Sequence, residues 1–155
     1  MALKGDRQEN FHDVSFFMNE VAERGGIVVM STVGSGAALD QASALCSYAA
    51  APSGKAAVGL LLADMVNVDQ TKYHINFMKN EVQQGGKVPL LTEGWVVTNM
   101  IYPGVTPTAG ATAYLAHSGL IAITDVIGCN TKVGRFYSTK DEDGYAKVYV
   151  KLPQV

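Results

Sequence analysis

The side chains in this sequence whose types could do chemistry are three histidines, two cysteines, one acidic run and one glycine-rich stretch. His12, His74 and His117 lie far apart. None stands in an HxxxH or HExxH spacing, which would set two metal ligands on one helical face. Cys46 and Cys129 are separated by most of the chain, and neither has the CxxC neighbour that a zinc site uses. They read as two buried, reduced thiols acting as small hydrophobes, with one disulfide as the alternative. Asp141-Glu142-Asp143 puts three carboxylates side by side, where adjacent side chains do not converge on one cation. That run reads as a solvated hairpin tip. Val33-Gly34-Ser35-Gly36-Ala37 follows a strand-like run, as a phosphate loop would. It lacks the lysine of GxxxxGK[ST] and the third glycine of GxGxxG. No serine stands in the GxSxG order of a nucleophile elbow. Glu20, Asp64, Asp69 and Glu93 are scattered, with no spacing that pairs them for acid–base work. The expectation is a protein that is not an enzyme, with no catalytic, cofactor-binding or metal-ligating residue.

The elements that would position any site are strands. Residues 17–29 read FMNEVAERGGIVV, and residues 77–88 read FMKNEVQQGGKV. Each copy runs from Phe-Met through Asn-Glu-Val to Gly-Gly and into a β-branched or valine-bearing run. A repeat centred on a Gly-Gly turn that opens a strand is a scaffold signal. Residues 13–24 fit a helix capped by Asp13 and stopped at Gly25, or a strand followed by a turn. The lead-in to the second copy alternates Tyr73, Ile75 and Phe77 with Lys72, His74 and Asn76, which favours strand then turn for both copies. Ile27–Thr32 is a clear strand. The Ala-rich run 39–51 suits helix by propensity and a two-sided strand by pattern, and both readings stand. Residues 51–54 are a turn. Residues 55–68 are strand-like, with Gly59 as a bulge or close-approach point.

Six further strands are expected over 87–91, 94–100, 112–117, 120–126, 132–138 and 145–152. Their separators are Thr-Glu-Gly, Pro-Gly, Pro-Thr-Ala-Gly, Ser-Gly and Asp-Glu-Asp-Gly. Ser118-Gly119 and Asp143-Gly144 read as tight hairpins. In the last strand Tyr145, Lys147, Tyr149 and Lys151 alternate with Ala146, Val148, Val150 and Leu152, so one face is buried and the other meets solvent or a partner. Many short strands at near-regular spacing predict a mainly β sandwich or barrel with little helix. Residues 1–12 are polar and aperiodic and read as an N-terminal arm, ordered on a partner or frayed, ahead of a single β-rich domain over 13–155.

Composition bounds the function. Of 155 residues, 48% are hydrophobic and 17% charged, against about 25% charged in an average domain. So few charges point to association with other copies or with a larger surface, with a compact monomer of Ala/Gly-rich surface as the alternative. Net charge is −2 and no basic run exists; the densest cationic spot, Lys4 to Arg7, is offset by Asp6 and Glu9. No nucleic-acid partner is expected on that ground. The start Met-Ala-Leu-Lys-Gly-Asp has no apolar stretch of the signal-peptide kind. No run reaches the ~18 apolar residues that a spanning helix needs, so no membrane partner is expected either. Assembly in a reducing cytoplasm follows. Trp95 reads as a core or barrel-plug residue in preference to an interface anchor, with Tyr102 nearby.

Five phrases together carry a resemblance. They are EVAERGGIVV at 20–29, PSGKAAVGLLLADMVNVD at 52–69, EVQQGGKV at 81–88, PTAGATAYLAHSGLI at 107–121 and KVGRFYSTKDEDGYAKVYVKL at 132–152. In this order they resemble the capsid cement, or head decoration, proteins of tailed bacteriophages, over most of the chain after the first dozen residues. The Ala-rich run 39–51 departs from that pattern. The resemblance implies a compact β-tulip or barrel-like body with an extended N-terminal arm. It implies homo-oligomers, commonly trimers and sometimes dimers. It implies a structural virion role on the outer surface of the expanded shell, with the major capsid protein as partner and no catalytic residues or cofactors. Candidate capsid or oligomer contacts are Leu3, Lys4, Arg7 and Phe11 on the arm, Phe16 and Phe17, Trp95 and Tyr102, and Tyr145, Lys147 and Tyr149. The rival expectations are another β-type virion part, such as a tail-tube or head-completion protein, and a small-molecule-binding or hydrolytic β-barrel.

Overall fold

The computed structural model describes residues 3–31, 44–62, 81–82, 87–128 and 130–152. The described chain is mainly β. In order come β1 (Gln8–Met18), β2 (Ala22–Glu23), β3 (Ile27–Met30), β4 (Ala44–Ser47), β5 (Ala57–Leu61), β6 (Glu81–Val82), β7 (Lys87–Thr98), β8 (Thr112–Leu115), β9 (Ile121–Ala122), β10 (Lys132–Phe136) and β11 (Ala146–Lys151). A single 3-10 turn at His117–Gly119 joins β8 to β9.

Two closed circuits of pairing share β7. In the first, β1 pairs with β4, β4 with β3, β3 with β5 and β5 with β7, and β7 returns to β1. The β1–β4 pair is parallel and the other pairs are antiparallel. Phe16 and Met18, Val28, Cys46, Leu61, and Val88 and Leu90 come from these five strands and pack together inside. In the second circuit β7 pairs with β11, then β10, β8 and β9 follow. A bridge between Ile121 and Ile101 brings β9 back to the segment that leaves β7. Closing a sheet on itself removes the open edges that make free sheets aggregate. The larger core lies with this circuit. It holds Val96, Val133, Phe136, Val148, Val150 and Ile121 together with Ile27, Leu60 and Leu91 from the first.

β7 serves both circuits because it is long. Its edge facing β1 runs from Lys87 to Trp95, while its other edge meets β5 at Leu90–Leu91 and β11 from Glu93 to Thr98. The sequence predicts two strands here, split by a Thr-Glu-Gly turn. Gly94 instead stays in the strand, opposite both Glu9 and Val150, with φ +151°. A Cβ there would stand 2.1 Å from the Gln8 carbonyl oxygen, so only glycine lets β1 come this close. Gly59 is the close-approach point expected of it: a Cβ would stand 2.8 Å from the Leu90 Cβ.

Other expectations meet mixed outcomes. Asp13–Met18 belongs to β1, so the helix alternative for residues 13–24 is overturned; pairing to β7 and β4 on its two edges outweighs local propensity. The Ser118-Gly119 hairpin joins antiparallel β8 and β9, and the Asp143-Gly144 loop joins antiparallel β10 and β11. The expected strand over 120–126 shrinks to Ile121–Ala122, because Ile121 is claimed on two sides by Leu115 and Ile101 and the chain then turns away. The strand reading of the Ala-rich run holds for 44–47; residues 39–43, 63–68 and the lead-in at 72–77 lie outside the described residues. The segment expected to be an arm is held by its own chain from residue 3. Leu3 bridges Thr98 and is 1% exposed, and the Lys4 N–H donates to the Val97 carbonyl at 2.9 Å.

Candidate functional site

Strand alternation gives β7, β11 and β10 one face turned to the core and one turned outward. Val96, Val148, Val150, Val133 and Phe136 point inward. Outward lie Trp95, which pairs with Tyr149, and Arg135, which pairs with Tyr149 on the other side. Lys147 precedes Tyr149 on this face, and its carbonyl accepts the N–H of Tyr137 at 2.8 Å. A register shift at Gly134 lets both Lys132 and Arg135 stand exposed although they are three apart.

The side chains on this face order one another. The Lys147 ammonium lies 3.6 Å from the Trp95 ring centroid. The Trp95 Nε1–H donates to the Gln8 side-chain oxygen at 3.0 Å. Tyr137 and Tyr149 stack at 5.6 Å between centroids, 22° from parallel. The Tyr149 hydroxyl donates to Glu93 at 3.0 Å, and that carboxylate holds the phenol above its ordinary pKa. At the margin, Lys4 sits 4.3 Å from the Tyr145 ring centroid and 3.4 Å from the Asp141 carboxylate. The Tyr145 and Asp143 backbone N–H groups both donate to Asp141, at 2.9 and 3.0 Å. The Tyr145 bond, more than Lys4, lowers the Asp141 pKa. The three strands contain one acidic residue, Glu93.

A second feature is the N-terminal half of β1. Among the described residues Gln8–Asp13 pair with β7 alone and β4 joins only from Phe16, so the other backbone edge ahead of Phe16 has no described partner. Phe11 is 63% exposed and Val14 48% exposed along it. Near that edge, Asp13, Phe16, Met30, Ala57, Val58 and Thr92 line an apolar groove of about 260 Å³. That is below the ~300–1,000 Å³ of typical small-molecule pockets.

The sequence-predicted contact residues separate into groups. Lys4, Trp95, Tyr145, Lys147 and Tyr149 are brought together on or beside the outer face. Arg7 pairs with Glu9, which also meets His12 at 2.8 Å. Phe17 is half-buried under Lys87, and Tyr102 is half-buried beside His117. Leu3 and Phe16 are corrections: both are buried in their own chain, where Leu3 anchors the N-terminus and Phe16 fills the first circuit. For Trp95 it is the core or barrel-plug reading that is overturned. The residue is half-buried on the outer face and absent from either core, because strand alternation between the buried Gly94 and Val96 turns it outward. The composition suggested no basic face. The fold nevertheless gathers Lys132, Arg135, Lys147 and Lys151 on neighbouring strands, a grouping foreshadowed only by their alternation with buried residues.

Cys46 is a free, buried thiol 3.8 Å from the Met18 sulfur, its pKa pushed up to about 12 by burial and then by Glu20. Cys129 and His74 lie outside the described residues. Among the described residues, no group of three or more His, Cys, Asp or Glu is arranged to hold a metal ion. Among them, too, no helix is long and apolar enough to cross a membrane. No family model matches the chain, and no curated protein matches it.

Proposed function

We propose that this chain is a capsid cement protein: a structural virion component that binds the outer surface of the expanded shell of a tailed bacteriophage, contacts the major capsid protein, and bridges neighbouring capsomers as a homotrimer. The observation that supports this reading most is the edge of β1 that no described residue pairs with, along which Phe11 and Val14 are exposed. An edge of that kind accepts an added strand from a partner through main-chain hydrogen bonds. The fold class agrees with the barrel-like body implied by the resemblance. The physics suits the role. Packaged DNA pushes a shell outward, and a rivet across the joints adds interface, commonly about 1,200–2,000 Å² per specific contact. Preference for the expanded shell is differential affinity for two states of the lattice.

The test is co-sedimentation with purified heads of the phage that encodes the chain, before and after expansion. Binding to expanded heads alone is the expected result. Binding to neither form overturns the reading, and assembly of the protein alone into a ring of fixed size redirects it to a tail-tube or head-completion part.

A further inference from the structure

We propose that the outer face of β7, β11 and β10 is a docking surface for a carboxylate-rich protein segment. Four cations, Lys132, Arg135, Lys147 and Lys151, lie on these strands beyond Lys87 at the far end, against the single carboxylate Glu93. Glu93 is itself engaged by the Tyr149 hydroxyl. Among the described residues, Lys132, Arg135 and Lys147 are in no ion pair. The chain as a whole carries a net charge of −2, so this is a local reversal of sign and the field it makes is confined to one side.

The aromatic residues decide which anion fits. A single-stranded nucleic acid is held by a basic groove together with open ring faces on which its bases stack. Here one face of Trp95 is covered by Lys147, and Tyr149 is stacked on Tyr137. What the surface offers instead is the Lys147 ammonium held over Trp95 beside the exposed Lys132 and Arg135 side chains. Arg135 presents a planar fork suited to a carboxylate, and its side chain is exposed. Trp, Tyr and Arg are also the residue types that anchor protein interfaces. Naming the acidic partner as the shell subunit rests on the decoration reading; the chemistry of the face stands apart from it.

Trp95 is the chain's one tryptophan and sits in this face, so its emission reports occupancy directly. The probe is short poly-L-glutamate, titrated into the full chain. We expect a saturable change in Trp95 emission that weakens at least about tenfold as salt rises from about 50 to about 300 mM. We expect its loss in Lys132→Glu/Arg135→Glu, two exposed positions that do not touch the indole, with the circular dichroism spectrum retained. No response to poly-L-glutamate overturns the proposal. So does an equal or stronger response to oligo(dT) of matched charge, which would make this a nucleic-acid face, or an undiminished response in the double variant. If poly-L-glutamate binds and heads do not, this inference stands and the decoration reading falls. If the double variant loses poly-L-glutamate yet decorates heads as before, the face is not the shell contact and the proposed partner is overturned.

Discussion

The Lys147 ammonium rests 3.6 Å from the centre of the Trp95 ring, across the β11–β7 pair. The contact joins a charge to the chain's single indole in the middle of its most basic surface. A cation–π pair at a partly exposed site contributes about 0.5–1 kcal/mol. Lys147→Ala is therefore expected to lower Tm by no more than roughly 4 °C while altering the Trp95 emission spectrum. Lys147→Arg should retain the wild-type spectrum more closely. Indistinguishable spectra for wild type and Lys147→Ala would count against the contact.

Tyr48 clamps the turn between β2 and β3. Its hydroxyl donates to the Glu23 carbonyl at 2.6 Å and accepts the Gly26 N–H at 3.0 Å. Tyr48→Phe leaves the buried Gly26 amide without that partner, at a cost of about 1–3 kcal/mol. Thermal denaturation should show Tm lowered by roughly 2–12 °C. A Tm within error of wild type would show that the turn holds without the hydroxyl.

Alkaline pH should unfold the protein through its interior. Burial raises the Cys46 thiol from 9.0 to about 12, and it raises the Tyr48 phenol above 10.0 as well. Both groups are favoured protonated in the folded state, so their contribution is complete below pH 9 and falls as pH rises from there towards 12. Urea midpoints measured from neutral to strongly alkaline pH should stay level and then decline. Cys46→Ala should decline less steeply over the same range; an identical slope would remove the thiol from the account.

Gly94→Ala places a methyl group where the Gln8 carbonyl already stands. The β1–β7 pair must open around it, a change of the overpacking kind that costs about 1–3 kcal/mol or more. Loss of stability should come with a red shift of Trp95 emission, because Gln8 is also the acceptor of the indole N–H. Destabilisation without any spectral change would place the damage elsewhere.

Phe11 and Phe16 sit on the same strand with opposite fates. Phe11 is 63% exposed and Phe16 6%. Phe16→Ala should cost about 3–5 kcal/mol, whereas Phe11→Asp should stay within about 0.5 kcal/mol of wild type. If the β1 edge is the capsid contact, Phe11→Asp should nevertheless reduce head binding in the co-sedimentation assay. Removing residues 1–12 altogether is a poorer experiment, since Leu3 and the first part of β1 belong to the body.

What the sequence disclosed and what it withheld follow a physical line. The last strand was legible because period-two alternation of Lys147 and Tyr149 with Val148 and Val150 is a local signal. Ser118-Gly119 was legible because a tight connection needs its own residue types. The continuity of β7 was not, since Gly94 looks like a turn residue and its reason, the approach of Gln8, comes from the other end of the chain. Long-range pairings of this kind leave no mark on local composition. The same holds for Leu3, which looks like part of a polar tail until Thr98 is seen beside it. The basic face was invisible for a related reason: Lys132, Arg135 and Lys147 are dispersed in order and adjacent only through strand register.

Sharing β7 between two circuits also governs how the molecule is made. Gln8 meets Trp95, so the first strand leaves the ribosome long before its main partner has been translated. At about 5–20 residues per second the wait lasts on the order of several seconds. Throughout it Phe11, Val14, Phe16 and Phe17 are uncovered on a nascent chain. The second circuit closes later still, because it needs β11, which spans Ala146–Lys151. Without β11, β7 lacks the partner it takes from Glu93 to Thr98, and the second circuit stays open.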